Sequence, residues 1–365
     1  MSSPAERVRG LIRVSGKSQH EFAVAIGLDD PKLSKSLSGA RRFSSIDLAR
    51  VAELCNVTVD WLITGEEPEV AVAARTTGGS AKDALAEARR LSVLRSDLAA
   101  LGFPEPWRPL PAPVTGGLAV DQGKRLATAA LERIAAEDLD LNDLPGTIEQ
   151  AFGADVALLE LAGGFDGLAV ASDTAHLIIA ATTHVPARQR FTLAHELGHL
   201  LLGDDHGVHL DKDIFEKAQQ RDLTEARANA FAAAFLMPEE LLRSAVGRRA
   251  LIEADFAKLA YRLMVSPSTL AYRLLSLRLI DSGSCHRFAA ISAAAAARTA
   301  GQTAEWARQV DRAATPRRPG LLLRDTYRAY ETGTATLRPY ANLLGADVDE
   351  LRSAMEADAG AIEAP

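Results

Sequence analysis

The stretch Arg188-Gln189-Arg190-Phe191-Thr192-Leu193-Ala194-His195-Glu196-Leu197-Gly198-His199-Leu200-Leu201-Leu202 constrains this chain more than any other. It carries His-Glu-x-x-His in a run of helix formers, and residues four apart on an α-helix lie one above the other. The imidazoles of His195 and His199 therefore point the same way and can share one metal ion, which is half of a zinc site. Glu196 is offset by about 100° around the helix, so its carboxylate stands beside such a metal rather than on it, where a general base belongs. Leu193, Ala194, Leu197, Leu200 and Leu201 recur at helical spacing and would bury one side of the helix, holding the metal face rigid. Zinc with an open coordination position brings the pKa of its water from about 15.7 towards 7, so the pattern points to hydrolysis near neutral pH.

Two histidines need a third protein ligand, and three candidates are in reach. Residues 222–236 read as a second helix stopped by Pro238, with Ala228, Phe231, Ala232 and Phe235 as its buried stripe and Glu225 in its first turn. Glu225 can project inward from the start of that stripe, or serve only as a carboxylate favoured by the helix dipole. Asp205 or His206 would follow an extended pattern in which a glycine turn precedes the third ligand. That pattern wants glycine at 202 and a ligand at 205, whereas the chain has Leu202 and Gly203. His209, in a loop, is the third candidate.

At these residues the sequence resembles the ImmA/IrrE family of zinc metallopeptidase-like proteins. The resemblance rests on the histidine helix, on Glu225-x-x-Ala228-Asn229-x-Phe231-Ala232 and on Leu236-Met237-Pro238, and it runs over roughly residues 118–283. It implies Zn2+ held by His195, His199 and Glu225, with Glu196 as the catalytic base. It also implies a protein substrate, since members are associated with cleaving or otherwise relieving repressors of the helix-turn-helix type. For an oxyanion donor Arg188, Arg190 and His184 are the candidates, each with the alternative of anchoring the fold.

At 365 residues two or three domains are expected, and an apolar share of 47% with only 5% aromatics favours helical cores. A net charge of -7 excludes a protein that coats nucleic acid with its whole surface, so any DNA contact must be local. Cys55 and Cys285 lie far apart and read as buried thiols rather than a disulfide framework. No signal-peptide pattern opens the chain and no run of about 18 apolar residues occurs, so a cytoplasmic protein without membrane contact is expected.

Residues 5–66 read as a cluster of short helices. Ser18 and Glu21 form a capping box for the second, Gly27 makes the turn, and Asp29 or Asp30 caps a third with Pro31 near its start. Ser44 or Ser45 caps a fourth. This stretch resembles the Xre/lambda-repressor class of DNA-binding domain, in which the third helix enters the major groove and the second crosses the backbone. The resemblance implies that Gln19 touches phosphate, that Lys32, Ser34, Lys35 and Ser38 face the groove, and that Arg41 and Arg42 meet the backbone. Lys and Arg modestly outnumber Asp and Glu across residues 1–50. Asp29 and Asp30 would repel phosphate there unless engaged in capping. Domains of this type usually bind half-sites as dimers, so a homodimer is the corresponding expectation.

Beyond this, residues 67–117 read as a linker with a connecting helix over 83–101 and a proline spacer over 103–113. A helix over 121–137 follows, then short strands over 155–161, 168–171 and 176–180 that form a small sheet beside the metal, able to accept a substrate peptide as an added strand. Residues 255–274 have a second helix-turn-helix look. The fold class expected is thus predominantly α: an all-α helix-turn-helix domain (1–66), an α+β zincin-like metallopeptidase domain with a small sheet (118–283), and a helical C-terminal region (284–365) whose role the sequence does not specify. The function expected is a regulator that binds a DNA operator and hydrolyses a repressor-type protein with zinc. The alternatives are a DNA-binding factor whose zinc domain only senses, and an antitoxin or phage-immunity regulator.

Overall fold

A computed structural model of the chain describes residues 3–15, 17–55, 57, 59–64, 71–76, 82–111, 117–161, 165–203, 214–247 and 251–362. The chain divides into two compact units, Met1–Glu69 and Val70–Pro365, and is predominantly α. Among the described residues no helix is long and apolar enough to cross a membrane.

The first unit holds α1 (Pro4–Val14), α2 (Gln19–Ala25), α3 (Asp30–Leu37), α4 (Ser45–Cys55) and α5 (Val59–Thr64). Ser18 accepts from the Glu21 amide while Glu21 reaches back to Ser18, so α2 starts where the capping box predicts. Asp29 is the cap of α3, and Ser44 with Asp47 forms the reciprocal cap of α4. Gly27 takes a left-handed turn (φ 65°) between α2 and α3. Val8, Phe22, Ile26, Leu33, Val51 and Leu62 close the core of this unit, and Arg7 donates to the carbonyls of Leu62 and Ile63, tying α1 to α5.

The second unit opens with β1 (Ala71–Thr76) and α6 (Lys82–Ala100), then α7 (Ala119–Ala136), α8 (Leu144–Phe152), β2 (Asp155–Leu159), β3 (Phe165–Ala171), β4 (His176–Ala181), α9 (Pro186–Leu202) and α10 (Ile214–Leu236). After these come α11 (Glu239–Val246), α12 (Glu253–Arg262), α13 (Pro267–Ser276), α14 (Ser282–Ala289), α15 (Ala293–Thr299), α16 (Thr303–Ala314), α17 (Gly320–Glu331), α18 (Arg338–Leu344) and α19 (Val348–Ile362). The sheet runs β1-β3-β4-β2, with β2 and β4 parallel and the other pairings antiparallel.

Alternation along the strands sorts the side chains into two cores. Val156, Leu158, Ala169, Ile178 and Ala180 face α9, whose Leu193, Ala194, Leu197 and Leu201 complete that core with α7, α8 and α10. Ala157, Leu159, Leu168, Val170, Leu177 and Ile179 face the other way, onto Ala84, Ala88, Leu91 and Leu98 of α6 and Leu322 and Ala329 of α17. The sheet is therefore covered on both faces, which is why β3 is apolar over Leu168–Ala171 and β4 over Leu177–Ala181.

Two stretches do more than the sequence reading gave them. The segment read as linker contributes an edge strand, β1, and a helix, α6, that covers one sheet face. Its proline spacer is pinned along the unit: Glu105 accepts from the backbone amide of His176 at 2.7 Å, Trp107 stacks on the His176 ring at 4.1 Å, and the Arg108 amide donates to the Phe152 carbonyl. The C-terminal helices supply the rest of the second core. Buried Arg95 on α6 lies 2.7 Å from Asp155 on β2 and 2.7 Å from Asp325 on α17, while Arg317 pairs with Glu149 at 2.5 Å and bridges to Leu158 at the sheet edge.

Candidate metal centre

Helix α9 begins at Pro186, where a missing N–H costs nothing, and stops at Gly203 in the left-handed conformation. Its apolar side is packed onto the sheet, so His195 (0% exposed) and His199 (3%) are fixed on its other flank. Helix α10 crosses beside it. The crossing is close because the residues that meet are small: a Cβ built on Gly198 would lie 3.4 Å from the Ala228 Cα and 3.0 Å from the Phe231 ring. On the far side of α10, Gly123 of α7 sits directly against the Arg227 carbonyl, where any side chain would collide.

That packing carries Glu225, one turn before Ala228, to the two histidines. The Nε2 atoms of His195 and His199 are 3.1 Å apart, Glu225 Oε2 is 3.4 Å from the first and Glu225 Oε1 is 3.7 Å from the second. A tetrahedral zinc with bonds of about 2.0–2.2 Å holds its donors roughly 3.4 Å apart, so the triangle fits that ion. His195, His199 and Glu225 also form a group of potential metal ligands by mutual distance. Glu225 is 37% exposed where the histidines are buried, which leaves the site open on the α10 side.

One expectation changes. Glu225 does not stand in a first helical turn: α10 starts at Ile214, and the carboxylate lies well inside the helix. The dipole of a helix N-terminus therefore does not explain its presence. Asp205, His206 and His209 lie outside the described residues.

Glu196 is wholly buried on the sheet side of the histidines. Its Cγ would be 3.3 Å from a Cβ on Gly167, and Thr192 would be 2.5 Å from it, so the bare backbone of β3 at Gly167 is what admits the Glu196 side chain beneath the sheet. The sequence reading did not single out Gly167, since a lone glycine in a strand carries no signal of what it faces. The neighbouring Asp166 pairs with Arg188 of α9 at 2.5 Å. Arg190, buried, donates to the Leu141 carbonyl at 2.7 Å, and burial lowers its pKa to about 10, leaving it charged near neutrality. Both arginines anchor α9, and His184 is exposed.

In the first unit Gln19, Lys32, Ser34, Lys35, Ser38 and Arg42 are exposed. Arg41 is partly buried and held by Ser36 at 2.9 Å and Asp47 at 2.8 Å. The two nearby carboxylates are engaged: Asp29 accepts from the Lys32 amide and pairs with its ammonium at 2.8 Å, and Asp30 meets His20 at 2.7 Å.

Two imidazoles and one carboxylate around an open position, with a second carboxylate alongside, make the donor set and base of a metallopeptidase-type centre. Residues 150–275, which contain all four, match the family described as the IrrE N-terminal-like domain (Peptidase_M78). Among curated proteins the chain is 39% identical over 124 residues to the radiation response metalloprotease IrrE of Deinococcus radiodurans, across 33% of this chain and 37% of that protein. It is 41% identical over 106 residues to the protein of that name from Deinococcus deserti, across 28% of this chain and 38% of the relative. The chain thus spans under two fifths of the length of these relatives. The matches support the ImmA/IrrE resemblance for this region and a metallopeptidase character for the domain.

Proposed function

We propose that this chain is a cytoplasmic transcriptional regulator in which an operator-binding N-terminal domain is tethered to a zinc-dependent peptidase acting on a repressor-type protein. The observation that carries the reading is the convergence of His195, His199 and Glu225 to within 3.7 Å of one another, with buried Glu196 beside them. Zinc, when bound there, supplies Lewis acidity towards a carbonyl and lowers the pKa of a water molecule. Glu196 would accept a proton from a water molecule held at the site and pass it to the departing amine, a role that suits a carboxylate held one residue from a ligand and shielded from bulk solvent. Gly167 and Thr192 fix its position. Arg188 and Arg190 keep the helix in place rather than meeting substrate.

The operator-binding part rests on the exposed row Gln19, Lys32, Ser34, Lys35, Ser38 and Arg42 on and around α2 and α3. Asp29 and Asp30 are occupied by a helix cap and a histidine, which removes the objection their charge raises. A homodimer would place two such rows on successive half-sites.

The deciding experiment sets Glu196→Gln beside the unaltered chain, with zinc content and cleavage of a helix-turn-helix repressor as readouts. Zinc retained and cleavage lost supports the mechanism. A Glu196→Gln protein that still cuts the repressor overturns it.

A further inference from the structure

The sheet ends at β3 except for one short strand. Without β1, the antiparallel strand β3 would present its free edge to solvent, and this is the strand that runs over the candidate centre: Gly167 faces Glu196 and Thr192 directly. An exposed edge of this kind takes up an extended peptide through main-chain hydrogen bonds. In this chain the edge is already filled. Residues 71–76 pair antiparallel with β3, Ala71 opposite Ala171 through Arg75 opposite Gly167 and Thr76 opposite Phe165.

Three features place this pairing at the site rather than merely near it. Arg75 lies across from Gly167, so the backbone of β1 passes one strand spacing, about 4.8 Å, from the residue that houses the base. The register breaks at this point, between Arg75 and Thr76, leaving Asp166 of β3 without a counterpart. Asp166 instead meets Arg188 of α9, and such breaks mark the places where a strand is shaped around a site. Finally, among the described residues the strand joins no other neighbour, since β1 is the outermost in the sheet.

We propose that β1 is an internal pseudosubstrate: the chain's own segment 71–76 occupies the β3 edge that receives an extended substrate peptide, and a substrate must displace it to reach the centre. The proposal rests on the peptidase reading for its functional sense, but the occupancy itself is testable without activity. Because the segment lies between the first unit and α6, an event that draws on it would release the edge.

The test uses the full-length chain and the double variant Ala73→Pro/Ala74→Pro. Adjacent amides in a strand point to opposite sides, so one of the two prolines removes a donor that faces β3. Hydrogen exchange of the β3 amides at residues 167–171 is followed in both proteins, with the amides of α9 as the control for an intact fold. The expected result is exchange at least tenfold faster at the alternate β3 amides that face β1, little change at those that face β4, unchanged exchange in α9, and protection restored by a synthetic peptide of residues 69–78. Hydrolysis of an added unfolded polypeptide should rise at least severalfold in the variant and vanish when Glu196→Gln is added. Unaltered β3 exchange in a variant with intact α9, or faster exchange that the peptide does not reverse, overturns the proposal. Faster, peptide-reversible exchange with no hydrolysis in either protein upholds the occupancy and removes the peptidase reading instead.

Discussion

Gly198 on α9 and Ala228 on α10 meet with no side chain between them beyond a methyl group: a Cβ on Gly198 would stand 3.4 Å from the Ala228 Cα. This contact sets the distance from the two histidines to Glu225. Gly198→Val should force the helices apart by a fraction of an ångström or more and weaken zinc binding by about 10- to 100-fold, the usual cost of disturbing the residues that support a ligand set. Competition with a chromophoric chelator measures it, and an affinity equal to that of the unaltered chain would remove the crossing from the account.

Glu225→Ala removes one of three donors. Zinc content should fall from near one per chain to a small fraction of that, while circular dichroism stays close to that of the parent. Zinc at about a thousand times its dissociation constant should stabilise the parent by about 4 kcal/mol and leave the variant almost unaffected. Melting curves with and without zinc test both statements, and full zinc occupancy in the variant would move the third ligand elsewhere.

Asp155 lies under α17, where burial pushes its pKa up to about 7 against the pull of Arg95. Between its ordinary value of 3.8 and about 7 the native chain keeps a proton that the unfolded chain has released. Stability therefore falls as pH rises through that window, by up to about 1.4 kcal/mol per pH unit from this group, and the slope ends above it. Urea unfolding of the parent and of Asp155→Asn at several pH values from 4 to 8 should show the stability of the parent relative to the variant falling from pH 4 to about 7 and levelling off above it. A difference constant from 4 to 8 would count against a raised pKa.

For the first unit, Arg42→Ala and Lys35→Ala separate two kinds of contact. If Arg42 meets phosphate, its loss weakens binding to every DNA sequence alike and lowers the slope of log affinity on log salt by about 0.9. If Lys35 meets a base edge, its loss costs about 1–3 kcal/mol on the operator and much less on other DNA. Fluorescence anisotropy at several salt concentrations reads both. No measurable binding of the unaltered chain to any DNA, even at low salt, would leave the unit as a protein-binding module.

The metal face was legible because helical period alone aligns His195 with His199 and sets Glu196 aside, and because the capping signals at Ser18, Asp29 and Ser44 are local. Glu225 emerged from a match between two separated motifs, yet the start of its helix at Ile214 did not, although Asp213 and Glu216 stand in the sequence at the spacing of a capping box. Gly167, Gly198 and Gly123 could not be read at all. Each matters through what it faces, and that is fixed only when strands and helices are assembled. The same holds for Arg95, Asp155 and Asp325, three ionisable side chains that look solvated along the chain and are buried together in the fold. The stretch 103–113 looked like a free spacer because prolines and a tryptophan read as extended chain, and only the contacts of Glu105, Trp107 and Arg108 with His176 and Phe152 show that its described part, to residue 111, is fastened down.

The pairing of Arg95 with Asp325 has a consequence for the order of events during synthesis. Residues 230 positions apart complete one buried cluster, so the second unit cannot settle until nearly all of it has left the ribosome, whereas the first unit has every partner it needs after its first seventy residues or so. For the interval in between, at about 5–20 residues per second, a nascent chain carries a finished N-terminal domain ahead of an unfinished centre. A chain halted in that interval would have the first unit's surface without the chemistry that follows it.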